Sequence, residues 1–257
     1  EVKDKVWPAN SIDRFILAGL EARGLRPAPP AEKAVLVRRL YFDLHGLPPT
    51  PEEVDAFLAD AAPDAWERLI DRLLASPHYG ERWGRHWLDL VRYAETNGYE
   101  RDTDKPAMWR YRDWVIAAFN ADLPYDRFLI EQLAGDELDV PTPSSLTASG
   151  YLRLMVWDDE PPQGPLQARY DMLDDVCSTT AQVTLAMSMG CARCHDHKKD
   201  PLPQADYYRF MAFFHGLSDW SVEGTLADGA RAPEQALAPV AAESGSTPGE
   251  LFVHMRG

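Results

Sequence analysis

Cysteine is scarce, with three in 257 residues, too few for a disulfide scaffold in a chain of this length. Basic charge is short as well. Against 41 Asp and Glu stand 26 Lys and Arg, a formal charge of -15. The basic stripe that duplex binding needs is therefore missing, and nucleic acid is excluded as the main partner. A partner with a basic docking face suits such a chain better. No run approaches roughly 18 uninterrupted apolar residues, so no membrane span is expected. Period-two alternation is nowhere sustained, which argues against a sheet. The segment Glu1 to Trp7 also lacks the apolar core of a signal peptide, as expected of a mature or excised fragment.

What is there suits a folded helical protein: 45% hydrophobic residues and 26% charged, a globular balance. Asn10 or Ser11 can cap a first helix whose Ile12, Phe15, Ile16 and Leu20 share a face, with Gly24 as its stop. A second runs from about Glu32 to Leu44 with Val35, Leu36 and Leu40 inward. Thr50-Pro51-Glu52-Glu53 reads as a capping box with proline at the first helical position, ahead of Val54, Phe57 and Leu58. Another helix starts near Asp64. Further helices are expected at about Ala107 to Asn120 and Tyr125 to Ala134, the latter stopped by Gly135. Pro141 to Gly150 and Asp158 to Pro165 read as loops. Beyond Trp220 the Ala, Pro, Gly and Ser content reads as a linker, residues 221–257, leading to the start of another domain.

The stretch Tyr79 to Glu95 has a particular pattern. Trp83, His86, Trp87, Leu90 and Ala94 recur at the spacing of a buried stripe, while Arg82, Arg85, Asp89 and Arg92 form a polar one. His86 is thus expected to point inward, either as a hydrogen-bonded core histidine or as a metal or haem ligand. After it, Glu95, Glu100, Asp102 and Asp104 crowd a polar loop over residues 95–104. That density could hold calcium, though the EF-hand spacing is missing.

The specific chemistry lies in Gly190-Cys191-Ala192-Arg193-Cys194-His195-Asp196-His197-Lys198. Cys191 and Cys194, followed directly by His195, form the C-x-x-C-H signature of covalent c-type haem attachment. One turn of chain sets two thiols against the two vinyl groups, and the adjacent imidazole becomes the proximal iron ligand. A zinc site from Cys191, Cys194, His195 and His197 is the competing reading, but the second, distant ligand pair usual in structural zinc sites is not visible. For the sixth iron position His86 leads, being remote in sequence; His45, His215 and Met211 are further candidates. Met187, Met189 and His197 are tethered too closely to the proximal side. Cys177 lies in a helical run and is expected to be buried. Asp206 is expected to cap the closing helix, with Tyr207, Phe210, Met211 and Phe214 as its wall.

Several blocks together resemble one family. Ile12-Asp13-Arg14-Phe15, Arg38 through Pro49, Ser76 through Trp83, His86-Trp87-Leu88-Asp89 and Arg92-Tyr93-Ala94-Glu95 carry the likeness, as do Cys191 through Lys198, Asp200-Pro201, Gln204 and Asp206-Tyr207-Tyr208. They resemble the second planctomycete-type cytochrome c domain, catalogued as a domain of unknown function, over about Val6 to Trp220. The resemblance implies an all-α, irregular multi-helix domain at 6–220 with long loops around a covalent haem c. It also implies a periplasmic or otherwise exported location within a longer multidomain protein. Relatives tend to read Leu-Gly-Leu-Thr where this chain has Leu185-Ala186-Met187-Ser188-Met189. Two functions follow as expectations. One is electron transfer within a larger redox protein. The other is a haem oxidoreductase with an open distal face, Asp89, Arg92, Tyr93, Glu95 and Asp200 lining a cleft for a small or carbohydrate-like substrate.

Overall fold

Capping boxes start the first and third helices where the sequence places them. In the computed structural model, which describes residues 1–98, 101–105, 107–156 and 164–217, α1 (Ser11–Glu21) begins at Asn10. Its side chain accepts from Asp13 N while Asp13 reaches back to Asn10 N. Helix α2 (Lys33–Leu44) follows, and α3 (Pro51–Ala59) opens with the expected Thr50–Glu53 box. Gly24 takes a left-handed φ of 68° at the end of the first helical segment, a conformation that costs glycine least.

The described residues fall into two compact units, one from Glu1 to Ile70 and one from Asp71 onward. The division falls within α4 (Ala65–Leu74). In the first unit Phe57 meets Trp66 edge-on at 6.0 Å, with the Lys33 ammonium 5.6 Å over the Phe57 ring. The inward faces differ from the expected ones. On α1 only Leu17 is buried, and Ile12, Phe15 and Ile16 are exposed. On α2 the buried pair is Val37 and Tyr41 rather than Val35, Leu36 and Leu40.

The second unit holds α5 (Pro77–Leu90), α6 (Trp109–Asn120), α7 (Tyr125–Ala134), α8 (Pro143–Ala148), α9 (Pro165–Leu185) and α10 (Gln204–Ala212). Short 3₁₀ turns lie at Ser149–Arg153 and Met189–Arg193. The protein is all-α: ten α-helices and no strand occur among the described residues, with one isolated bridge between Thr96 and Asp104. No described helix is long and apolar enough to cross a membrane. The linker expected at 221–257 lies outside the described residues, as do Asp158 to Gln163 of an expected loop.

Helix α5 packs on α6 through glycine. A Cβ on Gly80 would stand 2.4 Å from the Ile116 carbonyl oxygen, and one on Gly84 3.3 Å from the Ile116 side chain. The buried face of α5 is therefore Gly80, Gly84, Trp87 and Leu88. Trp87 Nε1 donates to Tyr111 Oη and Gln132 Oε1, both at 3.0 Å, so the indole enters the core with its polar atom satisfied.

The loop expected at Pro141 to Gly150 is instead largely α8 and the turn after it, buried from Ser145 to Leu152. Its small polar residues return their hydroxyls to nearby carbonyls. Ser145 donates to Gly135 O at 2.7 Å, Thr147 to Pro143 O at 2.8 Å and Ser149 to Leu146 O at 2.7 Å. Satisfied this way, such residues can be buried despite their loop-like composition.

Candidate functional site

Helix α9 ends at Ala186 in a left-handed conformation, and the chain turns at once into the 3₁₀ segment Met189–Arg193. Gly190 lies close against α9: a Cβ there would stand 2.7 Å from Ser178 Oγ. Met189 and Ala192 face the core, while Cys191 and Cys194 are exposed and unbridged. The two thiols thus project from one turn that Met189 and Ala192 anchor in the core.

Polar contacts fix that turn on both sides. Arg193 Nη1 donates to Asp174 Oδ2 at 2.9 Å and Nη2 to Asp171 Oδ1 at 3.0 Å, both on α9. Its carbonyl accepts from Gln204 Nε2 at 3.0 Å and from Tyr208 Oη at 3.1 Å, both on α10. Tyr207 Oη donates to Asp174 as well. Burial, then this bond to a carboxylate, pushes the Tyr207 phenol far above its usual range. Arg193, the middle of the motif, is therefore a clamp joining two helices, and Asp174 is its central acceptor. Neither Asp171, Asp174 nor the Arg193 role was visible to sequence reasoning. The one hint is that Asp171, Asp174 and Ser178 recur at helical spacing, marking one face of α9.

His195 is exposed, and its Nδ1 lies 2.8 Å from the Asp196 carbonyl oxygen. A carbonyl only accepts, so Nδ1 carries the proton and the lone pair of the neutral ring is on Nε2. Asp196 has a second role: its Oδ1 accepts from Gln204 N at 2.8 Å and caps α10. This corrects the expected cap. Asp206 sits inside the first turn of α10 and pairs with Arg209 at 2.7 Å.

His197 is committed elsewhere. Its Nδ1 accepts from Asp200 N at 2.8 Å and Lys199 N at 3.2 Å, so Nε2 is the protonated nitrogen and donates to Ser188 Oγ at 3.1 Å. With both nitrogens engaged, this ring serves the loop rather than a metal. Among the described residues no three His, Cys, Asp or Glu side chains gather in a metal-holding group. Cys191, Cys194, His195 and His197 are thus not drawn together as a tetrahedral zinc set.

Other expected site residues are placed as follows. His86 lies on the exposed side of α5, edge-on to Trp83 at 5.4 Å, with Trp83 and Leu90 also exposed. Of the inward stripe expected there only Trp87 is buried; Gly80, Gly84 and Leu88 make up the rest of the face, with the two glycines where α5 comes closest to α6. His45 follows α2 against Tyr41. Met189 and Met211 are buried in the core. In the 95–104 loop Glu95 accepts from Tyr93 Oη at 2.6 Å and Arg112 Nη1 at 3.0 Å, and Asp102 accepts from Gly98 N at 2.8 Å. These described carboxylates hold the loop and its neighbours. Glu100 lies outside the described residues. The polar set expected to line a cleft is dispersed: Asp89 approaches Arg85, Tyr93 and Glu95 join Arg112, Asp200 approaches His197, and Arg92 binds Asp175. Cys177 is buried as expected, and burial, with Asp174 nearby, pushes its thiol up to about 12, which makes it inert.

A family model described as PSCyt2, protein of unknown function (DUF1549), matches residues 11–219. The chain belongs to this family. The match spans every helix described above and the whole C-x-x-C-H clamp of this PSCyt2 chain. No curated protein and no solved structure matches it.

Proposed function

We propose that this PSCyt2 chain carries a c-type haem bound through Cys191 and Cys194, with His195 as proximal ligand, and serves electron transfer within a larger exported redox protein. The observation that carries the reading is the hydrogen bond from His195 Nδ1 to the Asp196 carbonyl. It fixes the tautomer and the ring orientation that an iron ligand requires, leaving Nε2 to bind. Two exposed, unbridged thiols on the same clamped turn supply the donor set for two thioethers.

When bound, the haem supplies one-electron chemistry at iron. The chain's own contribution is restraint. Arg193, held by Asp171 and Asp174 and by Gln204 and Tyr208, keeps the thiols and the imidazole in one geometry, so little has to move when the charge changes. His86 is proposed for the sixth position: its exposed ring sits between exposed Trp83 and Leu90 on α5, an apolar surface that a porphyrin face would cover. The acidic charge favours a basic partner, and haem attachment of this kind takes place outside the inner membrane.

The test is a pyridine haemochrome spectrum after acid-acetone extraction, on protein made in a host that attaches c-type haem. A c-type spectrum that survives extraction, and is lost in Cys191→Ser with Cys194→Ser, is the expected result. A colourless protein with stoichiometric zinc overturns it.

A further inference from the structure

Residues four apart on a helix lie on one face. Gln204 and Tyr208 are so placed on α10, and both donate to a single acceptor, the Arg193 carbonyl, at 3.0 Å from Nε2 and 3.1 Å from Oη. Gln204 is 5% exposed, so its amide is committed inside the protein rather than to water. A carbonyl oxygen has two lone pairs, and at Arg193 both are taken. The peptide plane between Arg193 and Cys194 is thereby held by α10, while the Arg193 guanidinium is held by Asp171 and Asp174 of α9.

The motif is thus divided between two helices. Cys191 belongs to the α9 side: its N–H donates to Ser188 O at 3.1 Å, Ser188 Oγ accepts from His197 Nε2 at 3.1 Å, and Gly190 between them lies against Ser178. Cys194 and His195 follow the carbonyl that α10 holds. Past them Gln204 N donates to Asp196 Oδ1 at 2.8 Å, but that bond holds the Asp196 side chain. The Asp196 carbonyl beside His195 Nδ1 takes its direction from the backbone that leads up to it.

We propose that Gln204, seconded by Tyr208, is a positioning residue for Cys194 and His195 alone, and that Cys191 is positioned independently from the α9 side. The consequence for a loaded chain rests on the haem reading; the consequence for the haem-free chain stands without it. Outer partners of this kind orient the groups that bind a metal. Each thioether forms by addition of a thiol S–H across a vinyl C=C: sulfur bonds one carbon, hydrogen goes to the other, and no outside oxidant or reductant is needed. With the Gln204 amide gone, Cys194 and His195 lose their set direction while Cys191 keeps its own, and attachment falls back to a single thioether at Cys191.

The experiment is ¹⁵N NMR of the histidine side chains in the full chain made without haem, with His195→Gln to assign the signal among the seven histidines. It is joined to a pyridine haemochrome spectrum of the same variants made where haem is attached. Wild-type His195 is expected in its Nδ1–H form. Gln204→Leu keeps the side-chain volume and leaves Tyr208 on the Arg193 carbonyl. It should lower the ratio of Nδ1–H to Nε2–H about fivefold, the worth of one neutral hydrogen bond, and adding Tyr208→Phe should lower it further. Gln204→Met is the second route should Gln204→Leu not fold. In the loaded double variant the α-band is expected to move to longer wavelength, because one vinyl group stays unreacted. An unchanged ratio in the double variant, or two full thioethers in it, overturns the inference. A chain that takes up no haem but shows the Gln204-dependent ratio upholds the positioning and refutes the haem reading alone.

Discussion

The α5–α6 contact and the C-x-x-C-H turn are both rigid, but by opposite means. At α5–α6 the backbones meet with nothing between them at Gly80 and Gly84, and rigidity comes from shape. At the motif the thiols and imidazole are exposed, and the turn is held by charged and polar partners from α9 and α10. A buried interface can be made of close packing alone. A turn that presents side chains to solvent cannot, because the packing would cover them.

The sharpest way to break the first region is to add a side chain. Gly80→Val would set Cβ against the Ile116 carbonyl and the Asn120 side chain and displace the bond from Gly80 N to Asn120 Oδ1, 2.8 Å long. A loss of about 3 kcal/mol or more is expected in urea unfolding, with the C-x-x-C-H residues untouched.

The second region should break by a smaller amount and with a different signature. Arg193→Met removes a clamp and strands Asp174, which also takes the Tyr207 hydroxyl. About 2 kcal/mol should be lost, together with the yield of covalent haem per chain. Asp196→Ala is milder. It removes the α10 cap, worth about 1 kcal/mol, and keeps the backbone carbonyl that His195 needs, so the haem spectrum of that variant should be unchanged. A fall in haem yield for Gly80→Val equal to that for Arg193→Met, at matched stability, would erase the contrast between the two regions.

Lys105, buried with its Nζ donating to Met155 O, gives a pH test of its own surroundings. Burial, with Arg153 and Arg92 adding to it against the opposing Asp175 and Asp102, lowers its ammonium from 10.5 to about 8. Between about pH 8 and 10.5 the unfolded chain holds a proton that the folded chain has released. Stability from this group therefore rises with pH across that window and is lowest below it. Lys105→Met should flatten the rise in denaturant midpoints measured from pH 7.5 to 10.

Much of this molecule is legible from residue order. The caps at Asn10 and Thr50, the all-α class and the motif itself depend on neighbours within a few positions. The clamp does not. Arg193 finds Asp174 across 19 residues and Asp171 across 22, and nothing local marks those carboxylates as its partners. The burial of α8 hides in Ser and Thr, whose composition reads as loop until their hydroxyls are traced to carbonyls. On α5 a reading by hydrophobicity favours Trp83 and His86 as the inward face. It finds Trp87, but glycine carries no hydrophobic signal, so Gly80 and Gly84 escape it.

The exposed side of α5 leads to the change with the smallest expected effect on stability. His86 is exposed and touches Trp83 edge-on, so His86→Ala should alter unfolding free energy by no more than about 0.5 kcal/mol. Its effect on the haem-loaded chain should be out of proportion. As the proposed sixth ligand, its loss converts a low-spin iron spectrum to a high-spin one, and added imidazole should restore the low-spin form. A structural surface histidine would change neither. An unaltered low-spin spectrum in His86→Ala, with haem still bound through Cys191 and Cys194, would remove His86 from the iron while leaving the attachment turn intact.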